Sequence, residues 1–171
     1  MFKKGDTVFY VVDGVCEIVD ISTLEIPGID KDRSYYILRQ KSGNGTIYVP
    51  ADCDTPKMRR LISREEALEL ISKIRDLEPL ELKYEKKPEA EYKEVLQKYD
   101  YLSVLKLIKC IYFRKQKRLC EGKRLTSADE RYMRLAEDML YQEIGAALGI
   151  PRGDVLNYLI SKIDGASDQA E

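Results

Sequence analysis

The spacing of apolar residues changes once along these 171 residues, close to position 60, and a chain built that way folds as a strand-rich part followed by a helical part. The first sixty residues are rich in Val, Ile, Tyr and Thr, interrupted at short intervals by turn residues, which is the pattern of an all-β module. Strands are expected over Thr7 to Val12, Val15 to Ile21, Ser34 to Gln40 and Thr46 to Val49, with a partner element from Ser22 to Pro27-Gly28. Asp13-Gly14 suits the positive φ angles of a tight hairpin, and Ser42-Gly43-Asn44-Gly45 turns the chain into the fourth strand. Pro50 stops that strand because it has no N–H to give to a ladder. Four or five short strands in so little chain must curl to bury the sheet, so a small antiparallel barrel is expected over an open sheet.

From Ser63 the period is helical. Ser63-Arg64-Glu65-Glu66 reads as a capping box, and Ala67, Leu68, Leu70, Ile71, Ile74 and Leu77 follow at helical spacing until Glu78-Pro79. Residues 79 to 88 form a charged linker or extended loop, and a helix of about ten residues runs from Glu89 to Lys98. Asp100 is the expected N-cap of a long helix to about Leu119, with Leu102, Leu105, Ile108, Ile111 and Tyr112 on one face. Lys106, Lys109 and Lys117 lie opposite. Thr126 or Ser127 caps a further helix with Met133, Ala136, Met139, Leu140 and Ile144 inward. Gly149 ends it, and Pro151 opens a last helix to about Ile163. The expected organisation is thus α+β in two domains: a β-barrel at 1–60, an all-α bundle of about five helices at 61–165, and a disordered tail at 166–171.

Composition excludes whole classes of function. The chain has no histidine, the side chain most used for proton transfer near neutral pH and the commonest nitrogen ligand of metals. Cys16, Cys53, Cys110 and Cys120 are scattered without a C-x-x-C pair, so they read as reduced thiols and form neither a zinc site nor a redox motif. No phosphate-binding glycine loop or nucleophile elbow occurs, and Glu65-Glu66 suits the positive end of a helix better than an acid/base pair. The chain reads as a binding protein with no enzymatic activity, no cofactor and no small-molecule substrate. No apolar run is long enough to span a membrane and no signal core follows the N-terminal lysines, so a cytoplasmic location is expected.

The net charge of −1 conceals segregation. Residues 101–134 hold ten basic and three acidic side chains, whereas residues 135–171 hold two and seven. Within the basic segment, Arg114, Lys115, Lys117, Arg118, Lys123 and Arg124 read either as a solvated helix end favoured by the dipole or as a surface for backbone phosphates. Residues 142–159 combine small residues, a Gly turn and apolar positions spaced like a helix-turn-helix, with Arg152, Asp154 and Asn157 as its early polar residues. A plain helix hairpin explains the same residues, and the acidic surroundings would repel DNA.

Phe2-Lys3-x-Gly5-Asp6-x-Val8-x-Tyr10-x-x-x-Gly14-Val15-x-x-Ile18-Val19-x-Ile21, followed by Tyr36-Ile37-Leu38 and Val49-Pro50, resembles the CarD/CdnL family of bacterial transcription regulators. The resemblance is specific over the first fifty residues and looser to about 148. It implies a Tudor-like barrel that docks by a strand edge on the RNA polymerase β subunit. The expected docking positions are Leu24, Glu25, Ile26, Thr46, Ile47, Tyr48 and Val49. It also implies a helical domain that contacts promoter DNA, largely through phosphates, and stabilises the open complex. Lys86, Lys87 and Lys93 would then join Arg114, Lys115, Lys117, Arg118, Lys123 and Arg124 against DNA. The sequence departs from the family where Leu24 and Tyr48 replace frequent arginines, where Ala90 and Glu91 thin the basic residues, and where a minor-groove tryptophan is missing. Two other readings are a helix-turn-helix repressor using residues 142–159, and a polymerase-binding adaptor without DNA contact.

Overall fold

The computed structural model describes residues 2–11, 13–52, 58–98 and 100–165, with side chains to residue 162. The expected strand end at Val12, the thiol of Cys53 and the disordered tail at 166–171 lie outside the described residues. Contacts divide the chain into two compact units, Met1–Ile62 and Ser63–Glu171.

In the first unit, β1 (Thr7–Tyr10), β2 (Gly14–Thr23), β3 (Ser34–Gln40), β4 (Thr46–Pro50) and β5 (Met58–Arg60) form one antiparallel sheet in the order β4-β3-β2-β1-β5. The first hairpin closes where Gly14 takes a φ of 75° and the Asp13 N–H donates to the Tyr10 carbonyl at 3.2 Å. Ser22 and Thr23 continue β2 and start no separate element, because they pair with Tyr35 and Ser34. A register shift between Ile18 and Asp20 bends β2. Val8, Cys16, Ile18, Tyr36, Leu38 and Val49 form the buried cluster under this curved sheet.

The expected barrel is not closed. Among the described residues β4 pairs only with β3 and β5 only with β1, so both remain edges. The reason lies in the lengths: β5 has three residues and β4 has five ending in a proline, too little ladder to join the sheet to itself.

The second unit contains α1 (Arg64–Lys73), α2 (Glu89–Lys98), α3 (Tyr101–Cys120), α4 (Ser127–Leu148) and α5 (Arg152–Gly165). The capping box of α1 is formed on both sides. Ser63 Oγ accepts from the Glu66 N–H at 3.1 Å, and the Ser63 N–H donates to the Glu66 carboxylate at 2.8 Å. The helix stops at Lys73, one turn before the expected Leu77. Lys109 of α3, expected on the solvated face, caps that end: its Nζ donates to the carbonyls of Ile74, Arg75 and Leu77 at 2.8, 3.0 and 2.6 Å. The last carbonyls of a helix have no donor within it, and the ammonium supplies one.

α3 packs against both α2 and α4 and buries Val104, Leu105, Leu107, Cys110 and Ile111. Leu102 and Tyr112, expected inside, are exposed, because the buried arc is set by two flanking helices and is rotated from the face read off the period. α4 is capped by Thr126, whose hydroxyl accepts from the Asp129 N–H at 3.1 Å, and buries Tyr132, Ala136, Leu140, Ile144 and Leu148. Met133 and Met139, expected inward, are half-buried. Gly149 ends α4 with a φ of 71°, and α5 folds back to bury Val155 and Leu159. No helix among the described residues is long and apolar enough to cross a membrane.

Candidate functional site

The first candidate feature is the outer edge of β4. Gln40 donates to the Gly45 carbonyl at 3.2 Å and Ala51 donates to the Ser34 carbonyl at 2.8 Å. With the register Leu38↔Ile47 and Tyr36↔Val49, these bonds fix which β4 residues face β3. Antiparallel pairing alternates, so the N–H and C=O groups of Thr46 and Tyr48 point off the sheet edge. The side chains of the same two residues are exposed, Tyr48 by 43%, while Ile47 and Val49 turn toward the core. One strand therefore presents backbone groups and two accessible side chains together.

The other expected docking positions are placed differently. Leu24 and Val49 are buried, so their side chains are packing groups and no contact surface. Ile26 is half-buried and Glu25 exposed in the segment after β2. The register aligns Thr23, Ser34 and Ala51, so Leu24 to Ile26 continue beyond the Pro50 end of β4, away from Thr46. Charge spacing and alternation gave no warning of this, since burial of Leu24 follows from the path of the loop.

The second feature is the basic surface of the helical unit, and the structure separates its nine expected residues. Arg114 is half-buried: its Nε lies 3.3 Å from Oδ1 of Asp129, a residue with no exposed surface, and its Nη2 donates to Oδ2 at 3.4 Å. Tyr92 of α2 donates its hydroxyl to the same carboxylate at 2.8 Å. Burial, and then the Asp129 hydrogen bond and charge, hold the Tyr92 phenol protonated well above the usual tyrosine range. This cluster ties α2, α3 and α4 together, and the Arg114 charge is compensated within it. Arg118 donates from Nε to the Arg124 carbonyl at 2.6 Å, and Lys123 pairs with Glu121 at 3.0 Å, so both brace the turn after α3.

Lys86, Lys87, Lys93, Lys115, Lys117 and Arg124 are exposed. Lys117 lines a cleft of about 480 Å³ together with Phe113 and the acidic Glu81 and Glu85, a mixed-charge setting. Lys86 and Lys87 line another, of about 510 Å³, where the first residues of α2 meet Thr126 and Ala128 at the start of α4. Two helix N-termini and two lysines meet there; Arg114 and the acidic Glu89 line it too, Glu89 being paired with Arg131 at 3.0 Å, so three cations face one acid there, an arrangement that suits a phosphate group. The convergence was invisible in the sequence, because the starts of α2 and α4 are brought together only by packing across α3.

The α4–α5 hairpin holds the residues of the helix-turn-helix reading. A Cβ on Gly145 would lie 2.8 Å from the Ile150 carbonyl oxygen, so the glycine is required for the close return of the chain. Arg152 forms an ion pair with Asp138 of α4. Asp154 and Asn157 are exposed. The one cation of the supposed recognition helix start is thereby engaged within the hairpin.

A small curved antiparallel sheet whose β4 is an edge strand among the described residues has the architecture of an interaction module. Residues 2–62 match the family model described as CarD-like/TRCF RID domain, so the first unit is a CarD-like domain of the RNA-polymerase-interacting type. The match ends where the sheet unit ends and leaves the helical unit uncovered. No curated protein matches the chain.

Proposed function

We propose that this protein is a CarD-like transcription regulator that docks on the β subunit of RNA polymerase through the β4 edge and contacts promoter DNA with its helical unit, favouring the open complex. The observation that carries the reading is the open edge at Thr46 and Tyr48 inside a polymerase-interacting domain. Strand addition would use the outward backbone groups for affinity and the exposed Thr46 and Tyr48 side chains for selectivity. Lys86, Lys87 and Lys93, with the cleft at the starts of α2 and α4, would hold backbone phosphates. Stabilising an open complex requires only binding that prefers it to the closed one, at most a few kcal/mol.

The test is a pull-down of the polymerase β lobe by the full chain and by Tyr48→Pro. That substitution removes an outward N–H and no bond to β3, so the sheet is retained while strand addition is lost. Capture by the native chain and failure of the variant support the reading. No capture by the native chain at low salt, or equal capture by both, overturns it.

The compensated charges of Arg114 and Lys123 favour a second reading, an adaptor that binds polymerase without touching DNA. Footprinting of promoter DNA with polymerase separates the two, because the adaptor adds no upstream protection.

A further inference from the structure

We infer that the cleft between residues 80–85 and the second half of α3 binds an extended peptide of a partner protein, one in which apolar side chains alternate with basic ones. This site is separate from strand addition at β4 and from the phosphate-suited cleft at the starts of α2 and α4, and it depends on neither.

One face of α3 already holds a stretch of this chain as it would hold a peptide. Residues 77–82 form no helix, turn or bend, and from Leu80 to Lys83 half-buried and exposed residues alternate, which is the period of an extended backbone. The start of the stretch is fixed on α3. There the Lys109 ammonium binds the carbonyls of Ile74, Arg75 and Leu77, and the Leu80 N–H donates to the Lys106 carbonyl at 3.0 Å. Its end is fixed on α2, where the two oxygens of Glu91 accept the N–H groups of Lys83 and Tyr84 at 3.0 and 2.9 Å. Phe113 and Lys117 follow Lys109 at intervals of four residues, so the stripe that holds this stretch continues for two further turns. There it borders the cleft of about 480 Å³, a volume within the roughly 300–1,000 Å³ of ligand sites.

The cleft lining states the chemistry of its occupant. Leu82 makes no hydrogen bond among the described residues, and in an extended stretch its N–H and C=O point to the same side as the Leu80 N–H, toward α3. Such a pair of groups, on a backbone fixed at both ends, exchanges two bonds with one residue of an added strand. The Lys117 ammonium also makes no hydrogen bond or ion pair among the described residues, and it can take a peptide carbonyl as Lys109 takes that of Leu77. Phe113 is 51% exposed, and with Leu80 and Leu82 it offers an apolar wall to side chains at alternate positions. Glu81 is exposed between the two leucines and Glu85 follows, so the residues between those apolar positions should be basic. The Arg114 charge is met by Asp129, which leaves two carboxylates against Lys117 alone. That balance favours a basic peptide and disfavours nucleic acid.

The probe is fluorophore-labelled acetyl-Lys-Val-Lys-Val-Lys amide, titrated with the full chain and read by anisotropy. It should bind more tightly than acetyl-Val-Val-Lys-Lys-Lys amide, which has the same composition without the alternation. N-methylation of one of its two valines should weaken binding roughly tenfold, the order of one hydrogen bond. Phe113→Ala should weaken it by a similar factor, roughly tenfold, through lost apolar contact. The double variant Glu81→Lys and Glu85→Lys should lose the basic peptide and gain acetyl-Asp-Val-Asp-Val-Asp amide. All three side chains are exposed, so the variants keep the fold, which urea denaturation checks. In nitrogen-15 spectra the Leu82 amide should be among the signals that the peptide moves.

No binding of the alternating peptide at millimolar concentration overturns the inference. Equal affinity for the two lysine peptides, or unchanged affinity in Phe113→Ala or in the charge-reversed variant, overturns it as well. A promoter duplex that loses affinity in Phe113→Ala would assign the cleft to DNA and overturn it in the same way. Tyr48→Pro should bind the peptide like the native chain, so failure of the polymerase reading and failure of this one are told apart.

Discussion

At the scale of single residues, the most informative group is the Tyr92–Asp129–Arg114 cluster, because it pairs a half-buried cation of the basic segment with a fully buried carboxylate. Removing the carboxylate leaves a largely buried guanidinium and a phenol without their partner. Asp129→Ala is expected to cost about 3–5 kcal/mol, the usual result of breaking one side of a buried pair, measured by urea denaturation. Two phenols of the helical unit with raised pKa values set an alkaline limit. Burial first, and then Glu137, push the Tyr141 phenol up to about 12, and Tyr92 is raised as well. A phenol with a raised folded pKa contributes fully below the unfolded value of about 10 and loses that contribution as pH climbs past it. Thermal stability should therefore be level across neutral pH and fall from about pH 10 toward 12. Replacing Tyr141 by Phe should reduce the steepness of that fall, as read by calorimetry.

At the scale of elements, local signals placed the helices and turns, and contacts from elsewhere adjusted their ends. The Ser63 capping box, the Asp100 and Thr126 caps and the Gly149 stop were all legible, because each is a short-range bond between neighbouring residues. The end of α1 was not, because its carbonyls are capped by Lys109, thirty-five residues from Ile74. The α4–α5 hairpin gives a direct check on how closely packing depends on one position. Gly145→Ala puts a methyl 2.8 Å from a backbone oxygen that cannot swing aside, so a loss of about 1–3 kcal/mol is expected in denaturant melts. Strand alternation likewise predicted β3 to its last residue and placed Thr46 to Val49 in a strand. Whether that strand lay inside the sheet or at its edge was a matter of pairing order.

At the scale of the whole molecule, the distribution of charge matters more than its sum. Seven of the nine expected DNA-facing cations are exposed, but of these only Lys86 and Lys87 line the cleft at the starts of α2 and α4. If phosphates are held there, Lys86→Gln and Lys87→Gln should each lower the dependence of log affinity on log salt by about one. Arg152→Glu should leave that slope unchanged, because Arg152 is paired with Asp138. The opposite outcome would return the α4–α5 hairpin to consideration as the DNA-reading element.

By itself, the sequence determined the division into a sheet and helices, the turn positions, the helix caps and the kinship of residues 2–62 with a polymerase-interacting domain. These follow from short-range chemistry: side-chain alternation, caps and backbone preference operate between near neighbours. Only the tertiary structure decided that β4 is an edge of the sheet among the described residues, that Leu24 and Val49 are buried, and that Arg114, Lys109 and Arg152 are engaged within the fold. Those outcomes depend on which partner lies across the packing, often tens of residues away, and no local pattern carries that information. The difference bears most heavily on function, since a cation is available to DNA only when the fold has not already paired it.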